Sequence, residues 1–324
     1  MGSGTYSNVG HDNYVRVNRV KERSMHENFS QRGLHPDVDP RNFNKDVRKY
    51  VLEPGFIKVC GVRQSCLSKE HPNVTDVYVF CDGTGSMGRI PQDILQNQFP
   101  GLMNALYEAG VPDPEIGFGM IGDHKSDDVP IQFTQIEPNS EKLLPQMQKL
   151  YIEQGGGGNG GESYLLAWWL ALYHIEAEAF YEKNKKPFIF TIGDEPCHGS
   201  LSGWALKSIF GYKGNVPDIT AKKLLELALE KYHVFHIHVT DGAYRERPIE
   251  SWKKLIDEDR LIVCDSEEVC QRIAQTVISV LKKEDNLVQD TPTQDIPAEI
   301  ITETNSVIND DSAETDPLGD VLGF

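Results

Sequence analysis

Four short, polar, glycine-rich clusters hold the residues of this chain best suited to chemistry. They are Asp82-Gly83-Thr84-Gly85-Ser86-Met87, the turn running from Gly122 through Asp123 to Asp128, the loop from Gly155 through Asn159 to Ser163, and Gly193-Asp194-Glu195. In a tight Asp-x-Thr-x-Ser turn, alternate side chains point to one side, as shared ligation requires. Two carboxylates (Asp82 and Asp194) and two hydroxyls (Thr84 and Ser86) on converging loops suit a hard cation with oxygen ligands. Mg2+ fits such a hydroxyl-rich shell best, with Mn2+ or Ca2+ as the other candidates. A shell so poor in carboxylate leaves the ion positive charge with which to accept an acidic group from outside. The plainer reading of the turn is a helix N-cap, which accounts for one oxygen and leaves Asp194 and the second hydroxyl unexplained. The glycine loop lacks the Gly-Lys-Ser/Thr ending of a P-loop, so nucleotide binding is not expected there.

The elements that must position these clusters follow from periodicity. Residues 74–82 (VTDVYVFCD), 115–122, 130–136, 186–195, 233–241 and 260–265 are short apolar, β-branched and aromatic runs, the mark of buried strands. Between them, residues 91–110, 140–153, 161–183, 219–232, 249–259 and 266–284 read as helices. Pro100 must kink or break the first of these, and Pro145 interrupts the second. The helix at 161–183 is apolar over much of its circumference and is expected to be buried, with Trp168 and Trp169 in the core and Trp204 likewise. Strands alternating with helices predict an α/β fold: a doubly wound, mostly parallel central sheet with helices on both faces. Ligands of such folds bind beyond the carboxyl ends of the strands, where the clusters lie.

This combination resembles the von Willebrand factor type A domain and its metal-ion-dependent adhesion site. In that family the first strand ends in Asp-x-Ser-x-Ser; here Thr84 stands where the first Ser is usual and keeps a hydroxyl. The resemblance implies that Thr84 and Ser86 bind the ion directly, that Asp82 does so directly or through water, and that Asp194 completes the acidic side. Some members carry a Gly-Gly-Gly-Asp-x-Pro-Glu-like loop. Residues 156–162 look like that version, with Asn159 in the Asp position, which nominates Asn159 as the loop ligand and Ser163 as its reserve. Glu162, Glu195 and Asp123 fall where they could line the rim or bind waters of the ion, and His198 is close enough in sequence to reach it. For Asp123, Asp127 and Asp128 a solvated turn is the simpler expectation. The resemblance covers residues 72–283. It implies a protein-binding module rather than an enzyme, one that captures a partner presenting Asp or Glu and that works, as related proteins often do, with an AAA+ ATPase. The chain as a whole looks like a stand-alone intracellular type of A-domain protein from bacteria or phages.

Two other readings compete. Cys81-Asp82-Gly83-Thr84 is superficially similar to the Asp-x-Asp-Gly-Thr turn of haloacid-dehalogenase-like phosphohydrolases, but the nucleophile position holds Phe80. A structural scaffold that needs no metal is the other. His233, His236 and His238 invite a zinc reading, yet no Cys or carboxylate accompanies them at metal spacing, and sheet histidines are the better account.

Charge narrows the partners. The net charge is −17, with 49 acidic and 32 basic residues, which argues against duplex nucleic acid and against an anionic membrane surface. Eleven of the acids lie in residues 284–324, a segment with no Lys or Arg that is expected to be a disordered tail. Residues 1–71 form a weakly patterned arm in which 51–60 could add a strand. No 18-residue apolar stretch and no secretory signal are visible, and the six cysteines include no Cys-x-x-Cys pair. A cytoplasmic protein with reduced thiols, Cys81 and Cys264 buried, is the simplest expectation.

Overall fold

The computed structural model describes residues 34–43, 62–138, 140–153, 160–244 and 246–289. The segment 51–60, Asn159 and the tail beyond 289 lie outside them. The chain divides into Met1–Lys282 and Lys283–Phe324. Its strands are β1 (Arg63–Ser65), β2 (Thr75–Asp82), β3 (Pro114–Ile121), β4 (Ile131–Phe133), β5 (Ile175–Ala177), β6 (Phe188–Gly193), β7 (Ser200–Leu201), β8 (Ile219–Thr220), β9 (His233–Val239) and β10 (Leu261–Cys264). Its helices are α1 (Ile90–Asp93), α2 (Phe99–Glu108), α3 (Ser140–Met147), α4 (Leu165–His174), α5 (Glu178–Lys183), α6 (Gly203–Phe210), α7 (Ala221–Lys231), α8 (Arg247–Trp252) and α9 (Val269–Gln289).

Six strands form the main sheet in the order β10-β9-β6-β2-β3-β4, all parallel except β4, which runs antiparallel to β3. β2 is buried along its whole length, as a strand covered on both faces must be. Its alternate residues serve two different cores. Val77, Val79 and Cys81 face one side, with Leu102 and Leu106 of α2, Leu143 of α3 and Ile273 and Val277 of α9. Tyr78 and Phe80 face the other, with Leu165, Trp168 and Trp169 of α4, Leu224 of α7 and Trp252 of α8. Helices thus cover both faces of a mostly parallel sheet, the predicted fold class. Successive connections run from β2 to β3 on one side and later to β6 on the other, so the carboxyl end of β2 is a topological switch point.

Several predicted elements differ in detail. The single helix expected over 161–183 is two, because Ile175–Ala177 leaves the helix and pairs in parallel with Arg63–Ser65. The pairing gives the backbone groups released from the helix new partners, a long-range gain that local propensity cannot show. The helix expected over 91–110 is broken by a π-helical turn at Ile94–Gln98, and Pro100 falls in the first turn of α2, where its missing N–H costs least. Trp204 is not in the core but 77% exposed. Ser202 caps α6 by accepting from the Ala205 N–H, which turns Gly203, Ala205, Leu206 and Phe210 inward and leaves Trp204 outside. Cys81 and Cys264 are buried and free, as expected. The described part of the arm supplies core residues, Val38 to one face and Phe43 to the other.

The amino end of the sheet buries two acids side by side. Asp76 and Glu115 are register partners on β2 and β3. Burial pushes Asp76 up to about 7, and burial together with the Asp76 charge pushes Glu115 up to about 8. Both values are raised above the unfolded range, so their stabilising contribution is intact below about pH 4 and is lost as pH rises through 7 to 8. The melting temperature is therefore expected to fall between pH 5.5 and 8.5. Asp76→Asn should shrink that fall and raise the pH 8.5 value by about 3–6 °C, read by thermal melts across pH. An unchanged pH slope in the variant would contradict the assignment.

Candidate metal centre

The carboxyl ends of β2, β3 and β6 bring the clusters together. Asp82 ends β2 and is fully buried, so each oxygen needs partners. Its Oδ1 accepts from the Thr84 backbone N–H at 2.9 Å and from the Thr84 hydroxyl at 2.6 Å. Its Oδ2 accepts from the Tyr164 hydroxyl at 2.7 Å. The Thr84 and Ser86 hydroxyls lie 3.2 Å apart, and Ser86 Oγ donates to Asp194 Oδ1 at 2.7 Å. Asp194, also fully buried, follows β6, and its Oδ2 accepts from the Tyr244 N–H at 3.1 Å. Asp82, Thr84, Ser86 and Asp194 therefore form one continuous network across two neighbouring strands. Thr84 and Ser86 give their protons to carboxylates, which leaves hydroxyl lone pairs available to a cation. Ser86 is the partly exposed member of the group.

Glu162 stands beside this network. It is 1% exposed, and among the described residues neither carboxylate oxygen has a hydrogen-bond partner. Burial, and then the charges of Asp82 and Asp123, hold its carboxyl far above the usual range. A buried carboxylate without a donor is costly unless it is protonated or meets a cation. The donor set that fits a metal ion is the Asp82, Thr84, Ser86 and Asp194 network, with its hydroxyl lone pairs. These four would hold it, and the ion would supply a positive, ligand-accepting point at the end of the sheet.

Glu195 is buried next to Asp194; its N–H lies 3.4 Å from the Tyr164 oxygen and its carbonyl accepts from Trp252 Nε1 at 2.9 Å. Asp123 is not in a solvated turn: it is fully buried, with Oδ1 2.8 Å from His198 Nε2 and within reach of the Ser163 hydroxyl at 3.3 Å, while Ser126 Oγ donates to Oδ2. The turn folds in because Asp127 Oδ2 accepts the Asp123 N–H at 2.7 Å, leaving Asp128 exposed. Ser163 lies here and not against Asp82: its hydroxyl accepts from the His124 N–H at 2.9 Å and sits 2.7 Å from His124 Nδ1.

Tyr164 is the residue that spacing did not reveal. It heads the apolar helix α4 and reads as core, yet its hydroxyl orients Asp82. Its ring is packed edge-on against His236 and Trp252, with centroids at 5.0 and 5.4 Å. His236 in turn stacks on Trp252 and hydrogen-bonds Thr191, so it is a core histidine held neutral by burial. The signal was present in the sequence as a Tyr directly after the polar Glu162-Ser163 turn.

Two glycines make room for the carboxylate network. A Cβ on Gly193 would lie 1.9 Å from the Tyr164 oxygen, and one on Gly242 would lie 2.5 Å from Asp194 Oδ2.

No protein-family model and no curated protein matches the chain. Among solved structures it is similar to the pilus adhesin SpaC from Lactobacillus rhamnosus GG in its open conformation, with a TM-score of 0.44 and 11% identity over 67% of this chain and 31% of that one. It is similar to proximal thread matrix protein 1 from the mussel byssus, with a TM-score of 0.42 and 12% identity over 64% of this chain and 48% of that one. It is also similar to the conserved hypothetical protein BatB from Bacteroides thetaiotaomicron, with a TM-score of 0.41 and 12% identity over 64% of this chain and 99% of that one. The chain thus spans about a third of the adhesin and about half of the matrix protein.

Proposed function

We propose that this chain is a metal-dependent protein-binding module. A divalent cation, Mg2+ in the first instance, is held by Asp82, Thr84, Ser86 and Asp194, and its open coordination position takes an Asp or Glu carboxylate of a partner protein. The observation that carries this reading is the continuous Asp82, Thr84, Ser86 and Asp194 network, in which both hydroxyls already give their protons to acids and keep lone pairs for a cation. Asp82 and Asp194, with no basic residue among the proposed ligands, would repel an acidic partner, and the ion would reverse the local sign. The loop ligand nominated from sequence, Asn159, lies outside the described residues. An AAA+ ATPase is the partner class the family resemblance suggests, and the cytoplasm is the compartment that suits it. Among the described residues no helix is long and apolar enough to cross a membrane.

The phosphohydrolase alternative draws no support from Phe80, which is fully buried and stacked on Phe133 at 5.0 Å, away from any reacting group. The test is capture of partners from a native lysate, with Mg2+ or with EDTA, by the wild-type chain and by Asp82→Ala. Specific partners are expected only with wild type and Mg2+. Capture that survives both EDTA and Asp82→Ala sinks the reading, and phosphate-ester turnover lost in Asp82→Asn would favour the enzyme instead.

Trp204 lends the surface an apolar anchor. With His124, Asp127 and Asp128 it lines a cleft of about 190 Å3 next to the same loops. Trp204→Ala is expected to leave the melting temperature within about 2 °C, since surface changes usually stay within ±0.5 kcal/mol, and to weaken partner capture about tenfold or more. Binding titration of the captured partner checks it.

A further inference from the structure

Asp123, His124 and His198 form a nitrogen-containing cluster that the oxygen-only site does not use. One ligand atom from each lies within 4.8 Å of the others. His198 Nε2 and Asp123 Oδ1 are already 2.8 Å apart, and the two imidazole rings meet edge to face with centroids at 5.3 Å. Tetrahedral ligands at about 2.0–2.1 Å from a metal lie roughly 3.3 Å apart, so small side-chain movements would close the set. The Glu162 backbone runs through the same place: its carbonyl accepts the His198 N–H at 3.0 Å, and its unpartnered carboxylate feels the charges of Asp82 and Asp123 most strongly.

We propose that Asp123, His124 and His198 form a second metal site for a borderline transition dication of the Zn2+ or Co2+ class, with solvent completing the shell. Imidazole nitrogen selects such ions, whereas the Asp82 cluster offers only oxygen and selects Mg2+. Ligation through His198 Nε2 needs the ring proton on Nδ1, so Lys125 Nζ must leave Nδ1 as the metal–nitrogen bond replaces the Asp123 contact. Ser163, bonded to both His124 and Asp123, orients them from behind. Lys125 opposes the ion: its Nζ lies 3.1 Å from His198 Nδ1, on an exposed side chain that can swing away. This site stands apart from the Mg2+ reading, since either can bind without the other.

The experiment is titration of the full-length chain with Co2+ in excess Mg2+, followed by the visible absorption of histidine-ligated Co2+ and by equilibrium dialysis. One further equivalent of Co2+ is expected, displaceable by Zn2+. His124→Ala and His198→Ala should each weaken it by about 100-fold while leaving Mg2+-dependent stabilisation intact. Lys125→Ala should tighten it by about tenfold, because a cation close to the site is removed. Absence of a Co2+ equivalent beyond Mg2+ overturns the proposal, as does unchanged affinity in both histidine variants. Should those variants fail to fold, Lys125→Ala decides alone, and unchanged or weaker affinity in it overturns the site. Loss of the Mg2+ effect with the Co2+ equivalent retained would instead remove only the reading above.

Discussion

Asp82→Asn is expected to invert the response of this protein to Mg2+. At pH 8 the variant should melt higher than wild type in EDTA and lower than wild type in saturating Mg2+. The reason is that Asp82 serves two opposed purposes. It is fully buried, and burial pushes its carboxyl up to about 7, against the lowering effect of the Thr84 and Tyr164 hydrogen bonds. A folded value above the unfolded one means that the stability it contributes is complete below about pH 4 and lost as pH rises through 7. At pH 8 the metal-free wild type therefore bears a buried, ionised group, and the amide relieves it by about 1–3 kcal/mol once the altered hydrogen bonds are counted. With Mg2+ the order reverses. Ion binding to the native state alone stabilises it by about 2.7 kcal/mol at a hundredfold excess over Kd. A lost carboxylate ligand weakens affinity by about 100-fold or more and removes most of that gain. Differential scanning calorimetry of both proteins, with and without Mg2+, checks the crossing. Parallel responses in the two proteins would remove Asp82 from the ion's shell.

Gly193→Ala should be the most damaging single methyl in the molecule's candidate site. The added carbon would sit 1.9 Å from the Tyr164 oxygen and 2.6 Å from Cζ. Neither side can yield. Gly193 is the last residue of β6, in register with His238 on β9, and the Tyr164 ring is confined by His236 and Trp252. Overpacking of this kind costs about 3 kcal/mol or more, equivalent to a drop of roughly 6–12 °C in melting temperature. Tyr164→Phe alone should cost about 1–2 kcal/mol, by depriving a buried carboxylate oxygen of its donor. The double variant is expected to be more stable than the sum of the two changes, because removing the hydroxyl also removes the closest clash. Strict additivity would show that the tyrosine moves aside and that the glycine is not required by it. Mg2+ titration of the same variants would show how far the orientation of Asp82 depends on Tyr164.

The sequence made the local half of this site readable and hid the distant half. Asp82, Thr84 and Ser86 lie within five residues of one another, so a turn of known geometry places them, and the acid after a later strand, Asp194, follows from the fold class. The strands were readable because β2, β3, β6 and β9 are buried along almost their whole length and so carry mostly apolar runs. Partners brought from elsewhere were not readable. Tyr164 looks like one more aromatic in an apolar helix until its hydroxyl is seen on Asp82. Asp123 looks like a solvated turn until Asp127 folds the turn inward and His198 arrives from 75 residues away. The same limit explains the broken helix at Ile175, where the decisive partner is β1, and the outward Trp204, whose direction depends on where Ser202 caps its helix.

The links inside the Asp82 network span 82 residues from Tyr164 to Asp82 and 108 from Ser86 to Asp194. Contacts of such sequence separation close only after the strands between them have paired. On the proposed reading the ion's seat would form at the end of folding, after the barrier, and the ion would not act as a nucleus. Mg2+ should leave the folding arm of a chevron unmoved and slow the unfolding arm by the full measure of its stabilisation. In kinetic terms the proposed ion would be a brake on disassembly: a protein once loaded would outlast a change in the surrounding Mg2+ concentration for as long as its native state resists opening.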